Sequence, residues 1–201
     1  MRKVVQDNRS TRRTRAAIQA SLLTLLREKS LDKITVQEII DRANICRTTF
    51  YAHFADIYDL VKRMGDAVIA DVGEALSHLE LPDVRVPGQY PTITALVRLY
   101  AKHAETIRLL IGPNGDPTFD RRMQEKISEV SHDLRRQADG DAFNAPAHRL
   151  YLLYVVPGGV SVLNELVATG RPWDTERTGR VLGEMAATGE RVFLAEAFTP
   201  A

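Results

Sequence analysis

The stretch from Thr35 to Phe54 constrains the fold of this chain more than any other part of the sequence. Thr35 and Glu38 form a Thr-x-x-Glu capping box, which marks the beginning of a short helix. Apolar residues then follow at the i, i+3, i+4, i+7 spacing of a buried helix face, at Val36, Ile39, Ile40 and Ala43. Asn44 lies where the chain must turn, and Asn is the non-glycine residue that most readily adopts a left-handed backbone. The pattern predicts a helix, a tight turn and a second short helix.

The second helix of this motif would expose polar side chains while Phe50 and Phe54 face inward. A helix-turn-helix protein places such a helix in the major groove of DNA, where Arg pairs with guanine and Thr contacts base edges. Residues further along the helix, and the beginning of the first helix, are better placed for phosphate groups. The predicted base contacts are Arg47, Thr48 and Thr49, and the predicted phosphate contacts are Tyr51, His53 and Thr35.

The stretch from Thr14 to Val61 resembles the DNA-binding domain of TetR-family transcriptional regulators. The resemblance rests on the capping box, on the run Arg-Thr-Thr-Phe-Tyr-Ala-His-Phe and on the Asp59-Leu60 pair that follows it. The spacing of the aromatic residues within that run is the most specific part. The remaining two thirds of the chain resembles the family only in its helical layout.

Three positions depart from the family's pattern. Ser30 and Asn44 stand where glycine is common, and Ile57 stands where a lysine often contacts phosphate, so that contact is not expected here. The resemblance implies an all-α protein with an N-terminal three-helix helix-turn-helix domain and a larger helical domain for ligand binding and dimerisation. We expect the first domain to cover residues 1–55 and the second to cover residues 56–201.

The charges are distributed unevenly along the chain. Residues 1–55 contain 11 Lys and Arg against 5 Asp and Glu, a net charge of +6, whereas the rest of the chain carries −5. A basic module joined to an acidic body is typical of a phosphate-binding domain attached to a domain with another role. The basic segment Met1–Arg13 is expected to be disordered without a partner. It is either a solvated tail or an arm that reaches DNA, and both interpretations stay open.

The composition argues against several classes of protein. The chain has 201 residues, of which 44% are hydrophobic and 26% charged, as in ordinary globular proteins. Cys46 is the single cysteine, so no internal disulfide can form, and a reducing cytoplasm is the expected location. The first residues lack the apolar segment of a secretory signal. The longest uncharged apolar run, Leu150–Leu163, falls short of the roughly 20 residues that span a bilayer, so no membrane association is expected.

Apolar periodicity predicts further helices over residues 14–29, 56–79, 92–102, 107–111, 118–138, 147–169 and 175–188. The helix over 147–169 is apolar on nearly every side and must therefore be covered all round. Pro157 should kink or interrupt it, while Gly158 and Gly159 would let another backbone come close. A second subunit would be the simplest way to cover this helix, with Leu163 in the contact between the two subunits. The family resemblance likewise implies a homodimer through the last two helices.

Polar-tipped residues on apolar body helices are candidates for binding a small organic ligand. Such a site needs an apolar lining with a few placed polar groups. Tyr100, His103 and Tyr154 are the candidate ligand contacts. Each of them taken alone is explained better as an ordinary core tyrosine or surface histidine. Only the family resemblance raises the expectation of a ligand cavity.

The residue pattern does not favour catalysis. The 5 histidines lack metal-ligand spacing, and no third group orients Cys46 and His53 as a nucleophile and base. We expect no catalytic residues, no metal and no cofactor. The chain is interpreted as a small-molecule-responsive transcriptional regulator, most simply a repressor that binds a palindromic operator as a dimer. The alternatives are a scaffold protein that kept this fold without DNA binding, and a small helical enzyme.

Overall fold

The computed structural model describes residues 9–78, 90–113, 115–143 and 145–196, which form helices and turns with no β-strand. The all-α prediction is confirmed. The α-helices of these ranges are α1 (Arg9–Glu28), α2 (Val36–Ala43), α3 (Arg47–His53), α4 (Ile57–Ser77), α5 (Pro91–Lys102), α6 (Ala104–Ile111), α7 (Phe119–Asp139), α8 (Ala145–Thr169) and α9 (Thr175–Glu196). Single turns of 3-10 helix lie at Leu31–Lys33 and Gly140–Ala142.

Helices α1, α2 and α3 form a three-helix unit with the predicted turn. The Thr35 hydroxyl accepts a hydrogen bond from the Glu38 amide at 3.3 Å, and the Glu38 carboxylate accepts one from the Thr35 amide at 2.9 Å. Asn44 follows α2 in the left-handed region, with φ at 50° and ψ at 54°. The capping box and the turn are therefore confirmed. The centre of the unit consists of fully buried apolar side chains, Ile18, Leu22, Ile39 and Phe50.

The first helix is longer than the sequence predicted. It begins at Arg9, so Arg9–Arg13 of the expected disordered arm are helical. Thr11 is buried two turns before Ile18 and extends the inward face of α1, which accounts for the extra turns. The remainder of the arm, residues 1–8, lies outside the described residues.

Two boundaries in the body also differ from the prediction. Pro91 lies just outside the helix predicted over residues 92–102 but is the first residue of α5, where proline's fixed φ and missing N–H are tolerated. Helix α9 extends to Glu196 instead of ending near Thr188. Phe193, beyond the predicted end, packs with its ring centroid 6.5 Å from that of Tyr151. This contact stabilises the additional turns of α9.

Helix α4 joins the three-helix unit to the body. Asp56 caps it by accepting a hydrogen bond from the Asp59 amide at 2.7 Å. Its 21 residues span about 32 Å at 1.5 Å per residue. In the body, α4 packs against α5, α6 and α7, while α8 packs against α6, α7 and α9. One continuous apolar core runs through all of these contacts.

Helix α8 carries apolar side chains around most of its circumference, as the sequence predicted. It is not interrupted at Pro157, since the helix is continuous over Ala145–Thr169. Leu163 is only 1% exposed and belongs to the protomer's own core, so placing it in a contact between subunits was wrong. By length and composition α8 is the one helix of the described residues that meets the criteria for a membrane span, with 33% of its most apolar window buried in the protomer.

Two glycines on α9 allow α5 to pack unusually close. A Cβ atom at Gly183 would lie 2.1 Å from the Tyr90 ring, and one at Gly179 would lie 2.5 Å from the Thr94 hydroxyl. Tyr90 also donates a hydrogen bond from its hydroxyl to Glu184, and Arg98 pairs with Glu176 at 2.8 Å further along α5. The α5–α9 contact therefore depends on the absence of side chains at these two positions.

We expect Gly183→Ala to destabilise the protein by roughly 1–3 kcal/mol, because overpacking outweighs the gain in helix propensity. Gly189→Ala is the matched control on the same helix. Its Cβ would make only an ordinary contact, 3.9 Å from the Tyr151 ring. Urea denaturation should show a lower midpoint for the first variant and an unchanged or higher one for the second. Equal midpoints would contradict the proposed close packing.

Candidate DNA-binding surface and ligand cavity

Helix α3 exposes Arg47, Thr48 and Tyr51 and leaves Thr49 half-buried, while Phe50 anchors the helix in the core. The Arg47 guanidinium donates a hydrogen bond to the Tyr51 hydroxyl at 3.4 Å and lies 5.6 Å from the centre of its ring. The two side chains therefore form one stacked, donor-rich group on the surface of α3. The structure brings all five predicted contact residues between Arg47 and His53 onto a single helix.

Cys46 precedes α3, and its thiol lies between two of the predicted base contacts. The Sγ atom is 3.0 Å from the hydroxyls of both Thr48 and Thr49. These hydrogen bonds, with that of Thr48 first, lower the pKa of the Cys46 thiol to about 7. Both threonine hydroxyls thus have a local partner in the Cys46 thiol.

His53 lies at the end of α3 and is half-buried. Burial lowers the pKa of its imidazole, and the positive charges of Arg15 and Arg63 lower it further. The imidazole is therefore neutral at neutral pH. Arg15 and Arg63 therefore place positive charge from the second turns of α1 and α4 beside the end of α3.

Thr35 is exposed at the beginning of α2, beside a strongly acidic carboxyl group. A hydrogen bond from Lys29, and then those from the backbone and side chain of Thr35, lower the pKa of Glu38 to about 2. The carboxylate stays ionised at any physiological pH and holds the N-terminus of α2 in place. The hydrogen bonds to Glu38 therefore hold the Thr35 hydroxyl at the N-terminus of α2.

The body contains a cavity of about 450 Å³ between α5, α7, α8 and α9. Its walls are mainly aliphatic, with Ile93, Leu96, Ile127, Leu134, Val156, Val160, Leu163 and Leu182 among the lining residues. Of the predicted ligand contacts, Tyr154 lines this cavity. Tyr100 is fully buried outside its lining, and His103 hydrogen-bonds with Asp71 at 2.9 Å. The structure does not bring these three residues together.

Polar groups that the sequence analysis did not single out collect at one end of the cavity. Arg135 forms a largely buried ion pair with Glu190, and His148 lies beside them in the lining. Tyr151 donates a hydrogen bond to the Ala186 carbonyl at 2.9 Å. Charged or polar residues at apolar-face positions of α7, α8 and α9 were the only sequence signal. That signal does not reveal which of the positions meet in space.

A family model of bacterial regulatory proteins of the tetR family matches residues 19–64. This match covers the three-helix unit from the middle of α1 to the first turns of α4. The N-terminal part of this chain is therefore similar to the DNA-binding domain of tetR-family regulators. DNA-binding regulation is accordingly its general role, and family members usually act as dimers and are generally not enzymes.

Solved structures match the regulator over most of its length. A TetR transcriptional regulator from Streptococcus agalactiae is 18% identical, with a TM-score of 0.59 over 89% of this chain and 96% of that chain. The dihydroxyacetone kinase operon activator DhaS is 15% identical, with a TM-score of 0.61 over 91% of this chain and 95% of that chain. At these identities the likeness establishes the fold. No curated protein sequence matches the regulator.

We expect Thr35→Ala to destabilise the regulator by about 1 kcal/mol, because it removes the hydroxyl that caps α2. Thr24→Ala is the control, since the Thr24 hydroxyl bonds only to the Ala20 carbonyl inside α1. Because the folded-state pKa of Glu38 is depressed, its contribution to stability is present above pH 4.5 and is lost as the pH falls towards 2. Urea denaturation from neutral to acidic pH measures both effects. A Thr35→Ala variant as stable as wild type at neutral pH would contradict this role of the cap.

Proposed function

We propose that this regulator represses transcription by binding a palindromic operator as a homodimer, and that a small organic molecule releases it from DNA. The observation that carries the proposal is the exposed polar face of α3 on a packed three-helix unit. Residues 1–55, which include this unit, have a net charge of +6. The proposal includes a cytoplasmic location and no catalytic activity.

The residues on this unit have two different roles in the proposal. Arg47, Thr48 and Thr49 contact base edges in the major groove, because they begin α3 and the first turn of such a helix reaches deepest. The phosphate contacts are made by Tyr51, His53 and Thr35, and they fix the orientation of the protein on the duplex. A neutral imidazole still donates one hydrogen bond to a phosphate oxygen.

A dimer through α8 and α9 is supported by large apolar side chains that the protomer leaves exposed. Leu153 is 64% exposed, Tyr154 is 74% exposed and Met185 is 66% exposed. Exposed patches of this kind mark interaction surfaces. A Cβ atom at Gly158 would meet nothing within 4 Å in the described part of the protomer, so a partner helix has room there. A two-fold axis through this face would give two α3 helices for the two half-sites of a palindrome.

Polar contacts connect the cavity helices to α4. Asp71 on α4 hydrogen-bonds with His103 at 2.9 Å and accepts one from Lys102 at 3.2 Å, both at the end of α5. Arg122 on α7 pairs with Asp66 on α4. A ligand that moves α5 or α7 would therefore tilt α4 and change the separation of the two α3 helices. That separation must match half-sites spaced about 34 Å apart, or a multiple of this.

The energetic demand on such a switch is modest. A ligand shifts the equilibrium only by its differential affinity for the two states, and a tenfold loss of DNA binding requires about 1.4 kcal/mol. A DNA-binding regulator either represses or activates transcription. Repression is the simpler outcome, because an occupied operator blocks access to the promoter. A reporter gene that is transcribed less in the absence of the regulator would reverse this assignment.

We expect the regulator to bind DNA from the region upstream of its own gene. The affinity should fall by orders of magnitude between low and moderate salt. Arg47→Ala should lower the discrimination between specific and non-specific DNA by roughly 1–3 kcal/mol, through loss of a bidentate base contact. Tyr51→Phe should weaken binding to both kinds of DNA alike. Fluorescence anisotropy with labelled fragments at several salt concentrations measures these effects.

Arg98→Ala is the control for the charge change, since Arg98 is an exposed body residue paired with Glu176. It should leave both affinity and salt dependence unchanged. If no native upstream fragment binds at low salt, the regulator function itself is wrong. If Arg47→Ala leaves the specificity ratio intact, only the assignment of the base contact is wrong.

We expect Leu153→Glu to convert the dimer into monomers, because a carboxylate at this exposed position would be buried without a partner in the proposed interface. Tyr58→Glu is the matched control, since Tyr58 is an equally exposed apolar residue on α4. Analytical ultracentrifugation should report monomers for the first variant and dimers for the second. A folded Leu153→Glu dimer would place the interface elsewhere.

A further inference from the structure

We infer that the effector held between α5, α7, α8 and α9 is an elongated aliphatic molecule with a neutral hydrogen-bonding head group, and that the head group pairs with His148. This inference rests on the proposed function, since it names the chemical class of the ligand. It is carried by the shape of the cavity, by the position of its polar residues and by an unpartnered nitrogen atom on a buried side chain.

The cavity is long compared with its volume. Its lining follows α8 from His148 to Leu163, a distance of about 22 Å at the rise of an α-helix. A volume of about 450 Å³ spread along this length leaves a narrow channel, which is open on the side of Tyr154 and Met185. An extended chain fits such a channel, whereas a compact ring system of equal volume does not.

The polarity of the channel changes from one end to the other. Helices α7 and α8 run antiparallel, because Asn164 bonds to Asp120 whereas His148 lies against His132, with ring centroids 5.6 Å apart. Glu190 on α9 reaches the His148 end by pairing with Arg135. The charged residues Arg135 and Glu190 therefore meet α8 near His148. The other end is lined by aliphatic side chains, including Val160, Leu163, Ile93, Leu96 and Leu182. We therefore expect the ligand to have one polar terminus and an aliphatic body.

His148 provides a binding group for the polar terminus. The residue is 5% exposed, and its Nδ1 atom has no hydrogen-bond partner among the described residues. A buried polar atom without a partner destabilises the free protein, so a ligand that supplies the missing hydrogen bond gains that energy on binding. The ring is flanked by His132 and Phe143, with centroids 5.6 Å and 5.4 Å away, which hold its orientation.

The surrounding charges favour a neutral head group. Burial, and after it the coulombic effects of Arg135 and His132, lower the pKa of His148 to about 4, while Asp139 opposes them. The imidazole is therefore uncharged at neutral pH. Arg135 is held by Glu190 and lies 3.7 Å from the Asp139 carboxylate, so its charge is compensated within the protein. A carboxylate ligand would meet the Glu190 carboxylate in the cavity wall, and an ammonium group would lose its hydration without a dedicated partner.

The experiment titrates the full-length regulator with hexanol, octanol, decanol and dodecanol by isothermal calorimetry. Affinity should increase by roughly fourfold for each added methylene group, as expected when a chain enters an apolar channel. Decanoic acid and decylamine should bind at least tenfold more weakly than decanol. Adamantanol, a compact alcohol with the carbon number of decanol, should also bind at least tenfold more weakly. Stronger binding of the acid, the amine or the compact alcohol would overturn the inference, as would no binding of any alcohol.

Substitutions at His148 and Val160, with His78→Leu as a control, test the proposed orientation of the ligand. His148→Leu should weaken decanol binding at least fivefold without lowering the melting temperature of the free protein, because the removed nitrogen has no partner. His148→Gln should restore binding, and His78→Leu, an exposed position outside the cavity, should leave it unchanged. Val160→Phe should fill the aliphatic end and weaken dodecanol at least tenfold while sparing hexanol. A His148→Leu variant that melts lower and binds decanol as well as wild type would show that the histidine is merely structural.

The ligand class and the regulator function fail in different ways. Decanol should weaken binding of the wild-type protein to its upstream DNA and should not do so for His148→Leu. If decanol binds with the expected chain-length dependence but leaves DNA affinity unchanged, the cavity assignment stands and the ligand response of the proposed function is wrong. If upstream DNA binds but no alcohol does, DNA binding by the regulator stands and the assigned ligand class is wrong.

Discussion

The structure depends on α4 being packed into two groups of helices at once. Leu60 and Met64 lie in the half that follows the three-helix unit, while Val72 and Leu76 lie in the half that packs into the body. All four belong to the same continuous apolar core. Interiors packed at this density are bistable and not continuously deformable, so a displacement of body helices is transmitted as a movement of the whole helix. The domain boundary expected after residue 55 lies between two helices, and a single apolar core continues across it.

The local features of the DNA-binding unit could be predicted because they are encoded by neighbouring residues. Thr35 and Glu38 are three positions apart, and Asn44 needs only its own backbone preference to set the turn. The same is true of the Asp56 cap on α4. Each of these features depends on contacts within a single turn of chain. The prediction of α3 as an exposed polar helix followed directly from them.

The features that the sequence did not reveal depend on contacts between distant residues. The polar end of the cavity joins Arg135, His148 and Glu190 from three different helices. The extension of α9 depends on Phe193 reaching Tyr151. Leu163 was assigned to the wrong surface because α8 is apolar on nearly every side, so periodicity cannot distinguish its core-facing residues from its exposed ones.

The contact between Arg47 and Tyr51 has a consequence for the entropy of DNA recognition. A free arginine side chain samples many rotamers, and ordering such a side chain at an interface costs roughly 0.5–1.5 kcal/mol. In this regulator the guanidinium already rests over the tyrosine ring before any DNA arrives. Part of the ordering cost is therefore met during folding. In the proposed complex with DNA, Arg47 would therefore enter the major groove from a restricted set of orientations.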